Sequence, residues 1–426
     1  MKILKKAQKP NIVLRCVDQI SVVCFLKNYV QHIFCKEQLL LSGTNKGLLN
    51  LWSLMDETYL LKMEAHNKSI LHIVEIYNKD QISLIFTQAI GGECKLWDFE
   101  SYSLTLRYKF NIDYHGFCKG VISNVEINQN KLQYLIIPSE NDIITFYDLK
   151  FQTIIKKYSI HNFKDKNYKD ILLGSIMCME IFEKSYSTKN INISYLLIGF
   201  ESGVIAMFKI IGTIDNMNSF KIELNLIEYS KEVYKLIQDV SAGIHEYLGP
   251  IFSLEYDHNL NIGFGLSSMI NAHQFAFKII ESDKNAKINN MSSIVLIKDL
   301  SYKINEICNS NNGSENYHNE LKIIPPNKNN FESKNIILVI TGGSYKQCDY
   351  SIKVLLINCE NLSKSSVIQN FDLNFHVNNI TTIDILDVEY KKDVNKNFMT
   401  RNIIIAAGAR DFLISIWDIE LVDIYN

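Results

Sequence analysis

The sequence predicts an all-β protein, a seven-bladed β-propeller closed by an N-terminal strand and carrying loop insertions. The first observation behind this prediction is a strand–turn–strand pattern that recurs seven times along the 426 residues. The second is an apolar run at residues 11–15, which precedes the first repeat and has no hairpin of its own. Self-similarity at intervals of tens of residues is typical of repeat folds, so we expect a single propeller over residues 1–426.

Three copies of the repeat are clear, at residues 39–54, 84–99 and 403–419. Each has an apolar run, a tight turn and an alternating run that carries a tryptophan. Alternation has the period of a strand, and two such runs around a tight turn predict a β-hairpin. Weaker copies lie at residues 132–149, 195–210, 262–279 and 337–357. The aligned positions are Trp52, Trp97, Tyr147, Phe208, Phe277, Leu355 and Trp417.

Two further strands around each hairpin would complete four-stranded blades. One apolar run precedes each hairpin, at residues 21–26, 70–76, 121–127, 176–182, 251–256, 321–324 and 380–386. Another follows it, as at residues 59–63, 104–108 and 153–158. Little sequence follows the last hairpin, so we expect residues 11–15 to pair with it and close the ring. Closure would remove exposed sheet edges, which otherwise template aggregation.

Three insertions account for the uneven spacing of the aligned positions, which ranges from 45 to 78 residues. A WD-repeat blade needs only about 40–45. Between residues 211 and 249, apolar residues recur at helical spacing and predict a helix on the propeller rim, with a partner-binding helix or a long outer strand as alternatives. Residues 305–334 are polar and rich in asparagine, which predicts a disordered loop. Residues 388–401 predict a charged loop. The helical stripe consists of Leu226, Tyr229, Val233, Leu236, Ile237 and Val240.

Composition excludes several classes of function. The net charge is −2 and 21% of residues are charged, which argues against a general nucleic-acid binder because that function needs a basic surface. The nine cysteines include no CxxC pair, so free thiols in a reducing compartment are expected. The basic N-terminus lacks the apolar segment of a secretory signal, and no apolar run approaches the ~18 residues of a membrane span.

The polar residues of the blades match part of the WD-repeat pattern, in which histidine, serine or threonine, aspartate and tryptophan bond to one another. His66 and Trp97 fit the second blade, but its turn carries Gly91 and Gly92 where aspartate is expected. The last blade has Asp411, but alanine replaces the hydroxyl residue at position 407, and His376 is a distant candidate for the histidine. We expect structural rather than catalytic roles for Trp52, His66, Trp97, Tyr147, Phe208, Phe277, Asp411 and Trp417.

Motifs for catalysis, cofactors and metals were sought without a match. The chain has no GxxxxGK[ST], GxGxxG, GxSxG or HExxH pattern, and its ten histidines give no metal-ligand spacing. We therefore predict no enzyme activity, no cofactor and no metal, and we assign no partner-binding residue. An enzyme centred on the propeller channel remains an alternative, since its residues would come from separate blades and leave no local motif.

Taken together, the repeats resemble WD-repeat proteins and, more narrowly, the fungal ASTRA-associated protein 1 family. The N-terminal strand, the junction of the first two blades, the opening of the third blade and two later hairpins carry this resemblance. The sixth blade departs from the family pattern, because Leu355 replaces the aromatic residue and a polar insertion precedes it. The matching segments are residues 12–15, 42–52, 64–71, 116–120, 196–205 and 406–419.

The resemblance implies a nuclear, non-enzymatic scaffold subunit, with a cytoplasmic pool as an alternative. Its implied partners are a phosphatidylinositol-kinase-related protein, RuvB-like ATPases and Tel/Tti adaptors. Its implied roles are chromatin remodelling and maturation of those kinases. The other interpretation is an unrelated WD-repeat interaction module, such as a ubiquitin-ligase receptor, a coat subunit or a Gβ-like protein.

Overall fold

The computed structural model describes most of the chain. The described residues are 2–5, 9–27, 38–76, 83–114, 116–127, 130–140, 143–150, 152–160, 173–183, 191–214, 220–230, 249–267, 273–282, 290–308, 320–325, 335–344, 349–360, 362–363, 366–392 and 398–424. Within these ranges the chain is almost entirely β-structure, with a single helix.

The strands follow the sequence order of the repeats. Strands β1 (Lys2–Lys5) and β2 (Ile12–Arg15) come first. Blade 1 contains β3 (Ile20–Phe25), β4 (Leu39–Thr44), β5 (Leu48–Ser53) and β6 (Thr58–Glu64). Blade 2 contains β7 (Ile70–Ile76), β8 (Ser83–Ala89), β9 (Glu93–Glu100) and β10 (Ser103–Asn111). Blade 3 contains β11 (Val121–Ile127), β12 (Asn130–Ser139), β13 (Ile143–Asp148) and β14 (Thr153–Ser159).

Blades 4 to 7 follow, and several of their strands reach ten residues or more. Blade 4 contains β15 (Ile176–Glu183), β16 (Ile191–Phe200), β17 (Ile205–Ile214) and β18 (Phe220–Tyr229). Blade 5 contains β19 (Ile251–Asp257), β20 (Ile262–Ser267), β21 (His273–Ser282) and β22 (Asn290–Leu296), followed by helix α1 (Lys298–Cys308). Blade 6 contains β23 (Leu321–Ile324), β24 (Asn335–Ser344), β25 (Asp349–Asn358) and β26 (Val367–His376). Blade 7 contains β27 (Ile380–Lys392), β28 (Phe398–Ala409) and β29 (Leu413–Ile424).

Two compact units divide these sheets. One consists of Met1–Ile112, Asn311–Ile357 and Ile368–Asn426, and the other of Asp113–Ser310 and Asn358–Val367. The first unit holds blades 1, 2 and 7 and most of blade 6, and the second holds blades 3, 4 and 5. Among the described residues, six sheets are four-stranded antiparallel meanders in sequence order, and in the seventh β1 and β2 join β27, β28 and β29, which confirms the predicted seven blades.

The N-terminal strand pairs with the last hairpin, which confirms that prediction. Strand β2 runs antiparallel to β29, with Ile12 opposite Ile416 and Arg15 opposite Leu413. Leu14 is buried at this seam. Strand β1, which was not predicted from the sequence, extends the pairing along the same partner, with Lys2 opposite Asp423. Together the two strands cover the edge that β29 would otherwise expose.

Neighbouring sheets pack through a repeated close approach. The isoleucine that begins the first strand of a blade packs against a glycine of the preceding blade. A Cβ atom on Gly43 would come within 2.9 Å of Ile70 Cβ, and one on Gly408 within 2.4 Å of Ile20 Cγ2. In the second unit, a Cβ on Gly199 would come within 2.7 Å of Ile251 Cβ. Close packing of this kind leaves no room for a larger residue at these positions.

The helix predicted within residues 211–249 is wrong for the part that the structure describes. Residues up to 214 extend β17, and residues 220–229 form β18. Leu226 lies opposite Phe208, and the register shifts by one residue before Glu228, which lies opposite Met207. This bulge breaks the two-residue period, so two strand residues fall at helical spacing. The rest of the predicted stripe, from Val233 onward, lies outside the described residues.

Two further insertions also contain more regular structure than expected. Helix α1 covers the start of the interval 305–334, where a disordered loop was expected, and β23 is the strand predicted at residues 321–324, while residues 309–319 and 326–334 lie outside the description. Leu300 and Ile304, one helical turn apart, are both buried, which explains why α1 forms there. The interval 388–401 extends the hairpin of β27 and β28, with Lys391 opposite Thr400, rather than forming only a charged loop. No described helix is long and apolar enough to cross a membrane.

Candidate protein-interaction surface

Blade 2 contains a buried chain of hydrogen bonds that begins at His66. The His66 Nδ1 atom lies 2.5 Å from Glu93 Oε2, and its Nε2 atom lies 2.8 Å from Thr87 Oγ1. The indole Nε1 of Trp97 donates to the same Thr87 oxygen at 2.9 Å. Because Thr87 accepts from the indole, it donates to His66 Nε2, and the Nδ1–H of His66 donates to Glu93. Glu93 thus takes the role of the aspartate that the WD-repeat pattern places in this turn and that this sequence lacks.

The electrostatics of blade 2 favour a neutral histidine beside a charged carboxylate. Burial lowers the pKa of His66, and its hydrogen bond to Glu93 opposes this only in part. Partial burial raises the pKa of Glu93, but hydrogen bonds from Lys109 and His66 outweigh it and bring that pKa to about 2. The Lys109 Nζ atom lies 2.5 Å from Glu93 Oε1. The carboxylate is therefore ionised at neutral pH and holds the imidazole in one orientation.

Blade 7 contains the same series of hydrogen bonds, but its hydroxyl group comes from a different strand. The His376 Nδ1 atom lies 3.0 Å from Asp411 Oδ2, and its Nε2 atom lies 2.8 Å from Ser415 Oγ. The Trp417 indole donates to Ser415 Oγ at 3.0 Å. The hydroxyl was expected at position 407, but that residue is Ala407, which lies directly opposite Ser415 in the ladder between β28 and β29. The hydroxyl has moved to the facing residue of the adjacent strand, so the expectation of an incomplete set is wrong.

Asp411 also anchors the backbone around His376. Its carboxylate accepts from Val377 N at 3.1 Å and from Leu413 N at 3.2 Å. Burial raises the pKa of Asp411, but the hydrogen bond from His376 and those backbone bonds outweigh it, so the pKa lies below its usual value. The carboxylate ties the segment after His376 to the turn between β28 and β29.

Blade 1 has a cysteine where the other two blades have histidine. Cys16 lies four residues before Ile20, as His66 lies four residues before Ile70. Burial raises the pKa of the Cys16 thiol to about 11, although hydrogen bonds with Ser42 and Tyr59 act in the opposite direction. Ser42 Oγ accepts from the Trp52 indole at 2.9 Å. A sequence pattern that looked only for histidine could not find this member.

The remaining predicted blade residues lie in apolar surroundings. Phe208 and Phe277 are fully buried, as is Leu355. Tyr147 is buried, and its hydroxyl donates to the carbonyl of Gln152 at 2.9 Å. Aromatic or aliphatic packing at these positions takes the place of the hydrogen-bonded tryptophan of blades 1, 2 and 7.

Backbone hydrogen bonds also hold the turns beside these side chains in blades 1, 2 and 7. In blade 1 the Asn45 N–H donates to the carbonyl of Gln19 at 3.0 Å, and in blade 2 the Ile90 N–H donates to Ser69 at 2.9 Å. In blade 7 the Arg410 N–H donates to Asn379 at 2.9 Å. The repeated bond fixes each turn to the segment that leads into the inner strand. The result is a set of rigid, exposed turns, a common setting for binding residues.

Among the described residues, no group of three or more histidine, cysteine, aspartate or glutamate side chains could hold a metal ion. His66 and His376 both have their two ring nitrogens engaged by neighbouring side chains. These bonds hold both imidazole rings in fixed orientations beside the turns.

Comparison with known proteins supports the same architecture. No family model matches the chain. A mouse protein, guanine nucleotide-binding protein subunit beta-like protein 1, is 22% identical over 173 residues, which is 40% of this chain and 48% of that relative. The chain thus matches about half the length of that curated relative.

Two solved structures match nearly the whole chain. Sqt1 of Saccharomyces cerevisiae has a TM-score of 0.52 at 9% identity, covering 97% of this chain and 99% of that one. The β-propeller domain of Cps50 (Swd1) of Myceliophteria thermophila has a TM-score of 0.51 at 10% identity, covering 96% and 99%. Identities this low establish the fold alone. With its seven antiparallel sheets, six of four strands and one of five, the described part of the chain has the fold of a seven-bladed β-propeller.

Proposed function

We propose that the chain is a non-enzymatic scaffold subunit of an ASTRA-like multi-protein assembly, linked to chromatin remodelling and to the maturation of phosphatidylinositol-kinase-related proteins. The observation that carries the scaffold part is the use of the buried polar residues. His66, His376 and Asp411 form hydrogen bonds with the side chains and backbone groups that hold the turns in place. They therefore maintain the shape of the exposed surface at these turns. The ASTRA-like part is supported by the sequence resemblance in residues 42–52, 64–71 and 406–419.

A rigid propeller suits a scaffold for a physical reason. Binding costs less conformational entropy when the contacting loops are already fixed, because little ordering remains to be done on association. The turns of blades 1, 2 and 7 are fixed by repeated backbone bonds and by buried side chains. We place the protein in the nucleus, where chromatin remodelling takes place, and we expect it to bind proteins rather than membranes or nucleic acid.

The test is native purification of the tagged chain from its own cells, followed by mass spectrometry. We expect near-stoichiometric recovery of a large kinase-related protein, RuvB-like ATPases and Tel/Tti adaptors. Recovery of a different stable set of proteins would refute the ASTRA-like role and leave the scaffold role in place. A chain that purifies alone under gentle conditions would contradict both.

A second candidate is a Gβ-like interaction module outside any ASTRA-like assembly. It is favoured by the 22% identity to the mouse G-protein β-like protein over 173 residues. Under this alternative, the same purification would recover a small complex without kinase-related proteins or RuvB-like ATPases.

A further inference from the structure

Three exposed apolar side chains lie on neighbouring segments of blades 1 and 7. Val17, Val377 and Phe412 are 58%, 71% and 42% exposed. Backbone hydrogen bonds join the segments that carry them. The Cys16 N–H donates to the Phe412 carbonyl at 2.8 Å, and the Val377 N–H donates to the Asp411 carboxylate at 3.1 Å. We call these three residues the apolar patch.

Phe412 occupies a backbone position that other blades give to glycine. It lies five residues before Trp417, as Gly47, Gly92 and Gly203 lie five residues before Trp52, Trp97 and Phe208. All four have positive φ angles, 67° at Phe412 and 84°, 85° and 82° at the glycines. A side chain is disfavoured in this left-handed conformation, and glycine is the residue that adopts it without strain.

The left-handed conformation has a structural role, because it allows a backbone hydrogen bond. It directs the carbonyl of Gly47 to accept from the backbone of His66 at 3.0 Å, and that of Phe412 to accept from Cys16 at 2.8 Å. Glycine would make the same bond at position 412. Since the phenyl group is substantially exposed, core packing does not account for its presence. Strained residues of this kind cluster at binding and catalytic sites.

The charges around the apolar patch are cationic. Arg410 precedes Phe412 by two residues and is exposed, and Lys46 and Lys68 are exposed on the neighbouring turns. The Lys46 N–H donates to Asp18, which ties that turn to the segment carrying Val17. Within the described part of the chain, no ion pair engages any of these three cations.

The carboxylates of the same turns are already used. Asp18 is buried and accepts from the backbone of Gln19 and Lys46. Asp411 accepts from His376 and from the backbone of Val377 and Leu413. The charged side chains that remain for a partner on these described turns are therefore the cationic ones.

We propose that the apolar patch and its cationic rim form a docking site for a protein segment with an apolar anchor residue flanked by aspartate or glutamate. The proposal rests on the proposed scaffold function and assigns its contact surface. Phe412 supplies the contact for the anchor, and Arg410 and Lys46 attract the acidic flanks. A phosphate-rich polymer fits less well, because a single aromatic side chain offers no series of stacking platforms for bases.

The first test uses the purified full chain and a panel of fluorescein-labelled peptides that carry phenylalanine or leucine between acidic residues. Binding is measured by fluorescence anisotropy. We expect saturable binding that weakens with added salt, because surface charge attraction is screened. Peptides with lysine in place of the acidic residues should not bind, nor should a single-stranded oligonucleotide. If no acidic peptide binds, or if the oligonucleotide binds as tightly, the proposal is overturned.

The second test separates contact from folding. Phe412→Gly removes the side chain and the strain together, so its Tm should equal or exceed that of the wild-type chain. Its affinity for the acidic peptide should fall about tenfold, as expected for an interface anchor. Arg410→Glu should weaken binding as well. Met55→Ala is the matched control, because Met55 is 68% exposed and lies on a turn between β5 and β6.

The outcomes also distinguish this site from the proposed function. If Phe412→Gly retains full peptide affinity, the docking site is wrong. If the variant chain purifies from cells with its full set of partners, the scaffold function stands and the apolar patch is not its contact surface. If Phe412→Gly lowers the Tm well below that of the wild type, the phenyl group of Phe412 stabilises the fold. The argument that its strained backbone is kept for binding then fails.

Discussion

The displaced hydroxyl of blade 7 allows a test by relocation. Ser415 is fully buried and bonds both to the Trp417 indole and to His376 Nε2. Ser415→Ala would leave two buried polar groups without their partner, each at a cost of about 1–3 kcal/mol. We therefore expect the free energy of unfolding to fall by about 2–6 kcal/mol.

The same structure predicts a rescue. Ala407 faces Ser415 across the strand ladder and lies ten residues before Trp417, as Ser42 and Thr87 lie ten residues before their tryptophans. Ala407→Ser combined with Ser415→Ala should return the hydroxyl to the position that blades 1 and 2 use. Most of the lost stability should return.

Urea unfolding followed by tryptophan fluorescence suits this test, because the chain has only three tryptophans and all take part in such hydrogen-bonded chains. Ser103→Ala is the control, since Ser103 is exposed and should change stability by less than about 0.5 kcal/mol. The reasoning is refuted if Ser415→Ala unfolds at the wild-type urea concentration, or if the double variant is no more stable than Ser415→Ala.

Three further predictions concern the same unit. The pKa of Glu93 is depressed to about 2, so the stability that its carboxylate confers is present above about pH 4.5 and is lost as the pH falls towards 2. Glu93→Gln should be less stable than wild type at neutral pH, because it leaves Lys109 unpaired. In acid denaturation curves the two proteins should converge in stability. Leu14→Ala should cost about 2–5 kcal/mol in urea unfolding because the closing strand buries this side chain, and an unchanged midpoint would contradict that role. Gly408→Ala should lower the Tm, since its new methyl group would lie 2.4 Å from Ile20 Cγ2, and a Tm equal to wild type would show that the seam can relax.

Sequence reasoning located the blades well because the signal was repeated. The inner strands at residues 70–76, 121–127 and 321–324 agree with the structure to the residue, and the closing strand agrees within one. Repetition helps because each copy restricts where its neighbours begin. Strand β1 has no counterpart in the other blades and was not predicted.

The hydrogen-bonded side chains were harder to predict because their positions depend on strand register. Ser415 substitutes for a hydroxyl at position 407 only because the two residues face each other across a ladder. Glu93 reaches His66 from one residue past the turn, where its longer side chain compensates for the shift. Neither relation is visible until the pairing of strands is known. The bulge in β18 misled the analysis in the opposite direction, since it gave strand residues a helical spacing.

The central claim is that this propeller works by holding other proteins. The most direct measurement is the native mass of the tagged chain as it leaves its own cells, with the bound proteins quantified by mass spectrometry. The account predicts a particle well above the 49.2 kDa of the chain, with partners in near-stoichiometric amounts. A monomer of 49.2 kDa with no stoichiometric partner would contradict it.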